Sequence, residues 1–198
     1  SEGWSGRPGI SGHPARLAFR QTAVAHDGPG SVVVELRSDG DLLHVVIEIE
    51  LTPQGVLRLR HRLTHQGPGD FDLSALDVLL PVPGRAAEIL DFGGVWAYER
   101  RPQRAPLRDG AWTRETRHGR PGHDDPFLLM LGTPGFGFRT GEVWAVHLAW
   151  SGDKRLWAER QPLGVSVLGA GELLGAGEIR LGPGGSYTSP WTVAVWSG

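Results

Sequence analysis

Between residues 31 and 82 apolar and polar positions alternate with a period of two, in short runs separated by glycine-bearing breaks. The runs are SVVVELRS, DLLHVVIEIEL, VLRLRHRLTH and FDLSALDVLLPV, and the breaks are SDGD, TPQG and QGPGD. This pattern predicts a meander of antiparallel strands. In the second and third runs, Val45, Ile47, Ile49 and Leu51 alternate with Val46, Glu48 and Glu50, and Leu57, Leu59 and Leu63 alternate with Arg58, Arg60 and Arg62. A three-residue loop of Pro53, Gln54 and Gly55, with Gly55 left-handed, sets Glu50 opposite Arg58 and Glu48 opposite Arg60. A two-residue loop would slip the register by one and set glutamate against leucine.

Residues 83–125 are polar and rich in arginine, glycine and proline. Strands are expected around residues 85–90 and 111–117, with Arg101, Arg104 and Arg108 in an exposed loop between them. Strand patterning returns in PFLLMLGT, EVWAVHLAWS, KRLWAERQ, VSVLGAG, AGEIRL and SYTSPWTVAVWS. About eleven or twelve short strands with no helical period indicate a sandwich of two antiparallel sheets. Trp144, Trp150 and Trp157 are then expected at its inner faces or rims.

The chain has 198 residues, enough for one sizeable core, so a single domain over 1–198 is expected. Glycine (30) and proline (15) are abundant, but they fall between apolar runs, and eight tryptophans need a core or a groove. A net charge of -2 supplies no positive field for nucleic acid or an anionic membrane, so neither is an expected partner. The absence of cysteine removes disulfides and thiolate chemistry. No apolar run reaches the ~20 residues of a membrane span, and SEGWSGRPGISGHP lacks a signal-peptide layout, so a cytoplasmic location is expected.

Of the eight histidines, only His61 and His65 lie four apart, and on a strand that leaves about 13 Å between them, too far for one ion. His118 and His123, with Asp124 and Asp125, form the one compact cluster and are read as a surface group. No metal and no cofactor is expected. No G-x-S-x-G elbow occurs, and GPGGS at 182–186 lacks the G-K-[ST] of a phosphate loop, so it reads as a turn. Nothing marks a glycosidase pair among Asp91, Glu99, Glu115, Asp124, Asp125 and Glu142. What remains is an aromatic and guanidinium group: Trp96, Tyr98, Glu99 and Arg100, followed by Trp112. An indole covers the apolar face of a pyranose while Arg and Glu bond its hydroxyls. The alternative makes Trp96 a core aromatic and pairs Arg100 with Glu99 or Glu115.

Five segments, read in order, carry a resemblance. They are GGVWAYERRPQRAPLRDG, TRHGRPGHDDPFLLML, GEVWAVHLAWSGDKRLWAER, VLGAGELL and LGPGGSYTSPWTVAVWS. Together they resemble the amino-terminal domain of the α-galactosidases of glycoside hydrolase family 36. The matching positions are Trp96, Glu99 and Arg100; Gly119, His123, Pro126 and Phe127; Trp150, Ser151 and Gly152; and Pro183, Gly184, Tyr187 and Pro190. Asp153 stands where the family often has asparagine.

The resemblance implies an all-β fold, a large two-sheet antiparallel β-supersandwich of the galactose-mutarotase-like kind with few or no helices. In the family a (β/α)8 barrel follows, carrying the catalytic aspartates, one of them in a K-x-D motif. The only lysine here, Lys154, is followed by Arg155 and Leu156, so no catalytic residue is expected in this chain. It is expected to be a fragment that lacks the family's first strands and its barrel. The implied role is non-catalytic: packing on the barrel of the parent chain, homo-oligomer (tetramer) contacts, and shaping access for galactosides such as melibiose and raffinose. Trp96, Arg100, His123, Glu99 and Trp112 are the candidate substrate-binding or interface residues. A stand-alone galactoside-binding, lectin-like module is the alternative.

Overall fold

The computed structural model describes residues 18–123, 127–163 and 165–198. These residues form sixteen strands and one 3-10 turn, Asp39–Asp41, so the all-β class is borne out. In chain order the strands begin with β1 (Phe19–His26), β2 (Ser31–Ser38), β3 (Leu43–Leu51), β4 (Leu57–His65), β5 (Phe71–Leu73) and β6 (Val78–Val82). They continue with β7 (Glu88–Val95), β8 (Tyr98–Pro106), β9 (Gly110–Thr116), β10 (Leu129–Gly132) and β11 (Val143–Leu148). The last five are β12 (Lys154–Arg160), β13 (Ser166–Glu172), β14 (Ile179–Leu181), β15 (Ser186–Thr188) and β16 (Thr192–Ser197). The chain forms two compact units. Among the described residues, one comprises residues 18–50 with Leu59–Leu76 and Leu174–Ser189; the other comprises Leu51–Arg58, Asp77–Leu173 and Pro190–Gly198.

In the first unit β1, β2 and β3 are successive antiparallel neighbours, β15 pairs with β4, and β5 pairs with β14. Leu43, Val45, Leu63, Phe71, Leu73 and Leu181 form its core. His65 is fully buried there, stacked on Phe71 with centroids 5.7 Å apart and Nδ1 3.2 Å from the Leu181 carbonyl oxygen. The three-residue loop is present. Thr52 N–H donates to the Val56 carbonyl at 2.9 Å, and Gly55 has φ +81°. Arg60 duly meets Glu48, with Nη2 at 2.6 Å and Nε at 3.0 Å.

The run FDLSALDVLLPV is two strands rather than one. β5 pairs with β14 and β6 with β13, because Asp77 interrupts the run and bonds Arg155 Nη2 at 2.6 Å.

The second unit is a sandwich. One layer follows the order β16, β11, β10, β7, β8 and the other β6, β13, β12, β9. Period-two patterning turns Ile89, Leu129, Leu131, Val146 and Leu148 of the first layer toward Val82, Leu156, Ala158, Leu168 and Ala170 of the second, and these form one core. Each fully buried leucine contributes about 1.5–3 kcal/mol. Trp112 and Trp144 pack against this core. Trp157 alternates with Leu156 and Ala158 and so takes the other face of β12, where its ring lies in the space a side chain at Gly169 would need. Trp150 is partly exposed, at 43%, in the turn after β11.

The basic segment is not a loop. Residues 98–106 form β8, paired along β7, and Arg101 and Arg104 stand on it. Arg104 bonds Glu88 at 2.7 Å and covers the Phe136 ring at 4.4 Å, which secures this strand although its side chains are almost all exposed.

Candidate functional site

The hairpin of β7 and β8 closes with the two-residue turn Trp96–Ala97, which sets Val95 opposite Tyr98. Farther along, Gly93 is opposite Arg101, so β8 carries one extra residue and Gly94 faces a bulge at Glu99 and Arg100. Two residues with side chains take left-handed backbone here, Ala97 at φ +62° and Arg100 at φ +55°. Such positions cost about 1–3 kcal/mol each and persist only where their surroundings determine them. Gly94 is part of those surroundings. A Cβ on it would lie 2.7 Å from Glu99 Cα and the Tyr98 carbonyl oxygen, and 3.0 Å from the carbonyl oxygen of His123. A bare glycine thus lets the segment bearing His123 rest directly on the hairpin.

The turn turns Trp96 outward, 78% exposed. This answers the alternative that made it a core aromatic. Beside it lies a concavity of about 630 Å³, lined by Gly94, Val95 and Trp96 on one side and by His118, Arg120, Pro121, Gly122 and His123 on the other. A second hollow, of about 440 Å³, is lined by Gly93, Gly94, Val95, Arg101, Pro102 and Gln103.

Glu99 joins the two walls of the larger concavity. Its Oε1 accepts the Ala97 N–H at 2.9 Å and stands 3.3 Å from His123 Nδ1. The N–H groups of Glu99 itself and of Ala97 hold its carboxyl below the usual glutamate range, with His123 and Arg100 adding to the effect. Arg100 bends the other way and covers the Phe127 ring at 5.0 Å, and Phe127 stacks on Phe92 at 5.4 Å. Glu115 bonds Arg117 at 2.7 Å.

Of the five candidate residues, the structure gathers Trp96, Glu99, Arg100 and His123 around one hairpin tip. Trp112 is elsewhere, partly buried against the core and opposite Ala158. Asp124, Asp125 and Pro126 lie outside the described residues. Sequence reasoning passed over Gly94, Arg120, Pro121 and Gly122, and read His118 with His123 only as a surface group. The signal for that wall was the H-G-R-P-G-H spacing, which brings two imidazoles and a guanidinium around a tight turn.

Chemically, this surface offers an open indole face with imidazole and guanidinium donors beside it. None of the described residues that line it is a carboxylate. It is equipped to hold a polar, ring-shaped ligand or a partner surface, and the described residues that line it supply no pair of carboxylates of the kind glycoside cleavage needs.

Comparison with known proteins identifies the fold. Residues 1–182 match the model of the glycosyl hydrolase family 36 N-terminal domain. The chain belongs to this family.

Family 36 relatives agree over nearly the whole chain. The α-galactosidase of Escherichia coli is 36% identical over 196 residues, covering 96% of this chain and 27% of that protein. Probable α-galactosidase C of Aspergillus terreus is 26% identical and covers 97% and 25%. The chain therefore spans about a quarter of the length of these curated relatives. Among solved structures, the family 36 α-galactosidase AgaA of Geobacillus stearothermophilus superposes with a TM-score of 0.82 at 18% identity, covering 96% of this chain and 29% of that one. The α-galactosidase of Lactobacillus brevis gives 0.74 at 19% identity, covering 92% and 26%. At these identities the two structures speak for the fold alone. The family 36 N-terminal domain accounts for the sandwich, and the Trp96 surface is a feature carried on it.

Proposed function

We propose that this chain is the non-catalytic β-supersandwich of an α-galactosidase that hydrolyses terminal α-galactosides with retention. In the parent protein it packs on the catalytic barrel, and the surface around Trp96 shapes access of substrates such as raffinose and contributes to homo-oligomer contacts. The observation that carries this reading is an exposed indole beside a concavity whose facing wall carries His118, Arg120 and His123, on a domain of family 36. An aromatic platform with neighbouring donors suits a pyranose, whose C–H face is apolar and whose edge is hydroxylated.

Two measurements test it. The chain alone, given an aryl α-galactoside, should show no turnover; enzyme-like rates would overturn the non-catalytic assignment. In the full-length protein that carries this chain, Trp96→Ala should raise KM for raffinose while leaving kcat on the aryl substrate nearly unchanged. Unaltered kinetics on both substrates, with an unaltered oligomeric state, would remove Trp96 from the function.

The exposure of Trp96 also favours a second reading, a lectin-like module that captures galactosides unaided. Titration of the chain with galactose or raffinose separates the two. Millimolar or tighter binding that disappears in Trp96→Ala supports the module, and no binding supports the domain of a larger enzyme.

A further inference from the structure

The wall that faces Trp96 is built from residues 117–123, and every one of them is exposed. A segment with so little buried surface has little packing to hold it in one place. Among the described residues, two side-chain contacts from outside the segment's own strand do so. At one end His123 meets Glu99, as described. At the other, Gly119 N–H donates to Asp153 Oδ1 at 2.7 Å. Gly119 has φ +69° with nothing within 4 Å of where its Cβ would be, so glycine here serves the backbone turn that aims this N–H rather than close packing.

Asp153 itself has a firm base. It precedes β12, and its carbonyl accepts the Leu173 N–H at 3.1 Å. The turn before it is wound tightly on Trp150, since a Cβ on Gly152 would lie 2.5 Å from the indole Nε1. Trp150 N–H donates to the Leu148 carbonyl at 2.8 Å, and the Trp150 carbonyl accepts from the buried Lys154 Nζ at 3.4 Å. A carboxylate on this base bonds an amide in an exposed loop. Bonds to ionised acceptors are roughly twice as strong as neutral ones, which suits a single tether.

We propose that Asp153 is a positioning residue for the concavity beside Trp96: its carboxylate fixes residues 117–123 in the place that gives the concavity its second wall. It touches no ligand and acts through Gly119. The proposal rests on the reading of that concavity as the surface facing sugar or a neighbouring subunit, and it extends that reading to a residue about thirty positions away in sequence.

The test uses the full-length protein with Asp153→Ala and Asp153→Asn, because an asparagine oxygen still accepts the Gly119 N–H. Hydrogen exchange should accelerate in residues 118–123 of the alanine variant by about tenfold or more. Peptides from β11, β12 and β13 should keep their protection, which shows that the fold is intact. The same variant should raise KM for raffinose several-fold with kcat on an aryl α-galactoside unchanged, and Asp153→Asn should restore both exchange and KM. Unchanged exchange in Asp153→Ala, or an asparagine variant as impaired as the alanine one, overturns the proposal. Faster loop exchange with unchanged KM upholds the tether and overturns instead the sugar-facing reading of the concavity.

Discussion

His123 Nδ1 stands 3.3 Å from Oε1 of Glu99, the same oxygen that accepts the Ala97 N–H at 2.9 Å. One carboxylate therefore ties a histidine-bearing loop to the tip of a neighbouring hairpin. Because backbone N–H groups lead the effect on Glu99, its carboxyl should titrate below 4.5, and should still do so in His123→Ala. A depressed carboxyl contributes at pH values above its unfolded pKa, and the contribution is lost as pH falls through the folded value. The tie through Glu99 should thus keep its charge in mild acid and lose it only below pH 4.5. Following the Glu99 side-chain carboxyl by NMR across an acid titration measures this directly; a midpoint at or above 4.5 contradicts it.

The hairpin tip makes two opposite demands on small residues. Gly94→Ala places a methyl group against backbone atoms that cannot swing aside, at a cost of about 1–3 kcal/mol in denaturant unfolding. Ala97→Gly relieves a left-handed alanine and should leave stability unchanged or raise it by up to about 1 kcal/mol. Trp96→Ala, at an exposed position, should shift stability by less than about 0.5 kcal/mol. A loss of several kcal/mol there would mean that the indole is packed inside after all.

Gly169 and Trp157 form a coupled pair. The ring occupies the room a side chain at position 169 would take, so Gly169→Ala must expel it and should cost about 2–4 kcal/mol. In a Trp157→Ala background the same substitution should be nearly free. A double-mutant cycle by chemical denaturation reads the coupling, and additive losses would show that the ring does not depend on the glycine.

Burial lowers the pKa of His61 below 6.5. A base with a depressed folded value resists protonation in the native state, so the unfolded chain binds more protons as pH falls below 6.5, and stability declines there. Unfolding free energies measured between pH 7.5 and 5 should fall less steeply in His61→Gln than in the parent. Equal slopes would show that His61 carries none of the decline.

β2, β3 and β4 were legible because their residues alternate cleanly, and the Pro53–Gly55 loop could be placed from the facing charges Glu48 and Arg60, whereas β1, with every side chain exposed, was not read as a strand. The outward pointing of Trp96 was not legible. It follows from a bulge at Glu99 and Arg100 and from left-handed Ala97, and neither residue type announces such a backbone. β8 was missed for a related reason: Tyr98–Pro106 is almost wholly exposed, so no apolar alternation marks it, and its pairing comes from β7. The split of FDLSALDVLLPV was hidden because its two halves are each short and apolar, and the Asp77–Arg155 bond that divides them joins residues far apart in the chain. Trp112 looked like a companion of Trp96 from its sequence neighbourhood, whereas strand alternation on β9 turns it to the core.

β8 closes one end of its sheet order, and its free edge faces no further strand among the described residues. Pro102 and Pro106 have no N–H to offer along it, and Arg100, Arg101 and Arg104 crowd it with positive charge. Charge and missing donors of this kind disfavour edge-to-edge pairing of this strand with a second copy of itself or with a passing strand. The basic segment is in this sense a guard against self-templated aggregation, and it leaves Val95, Trp96 and Tyr98 presented outward at the tip of a margin that other chains find hard to join.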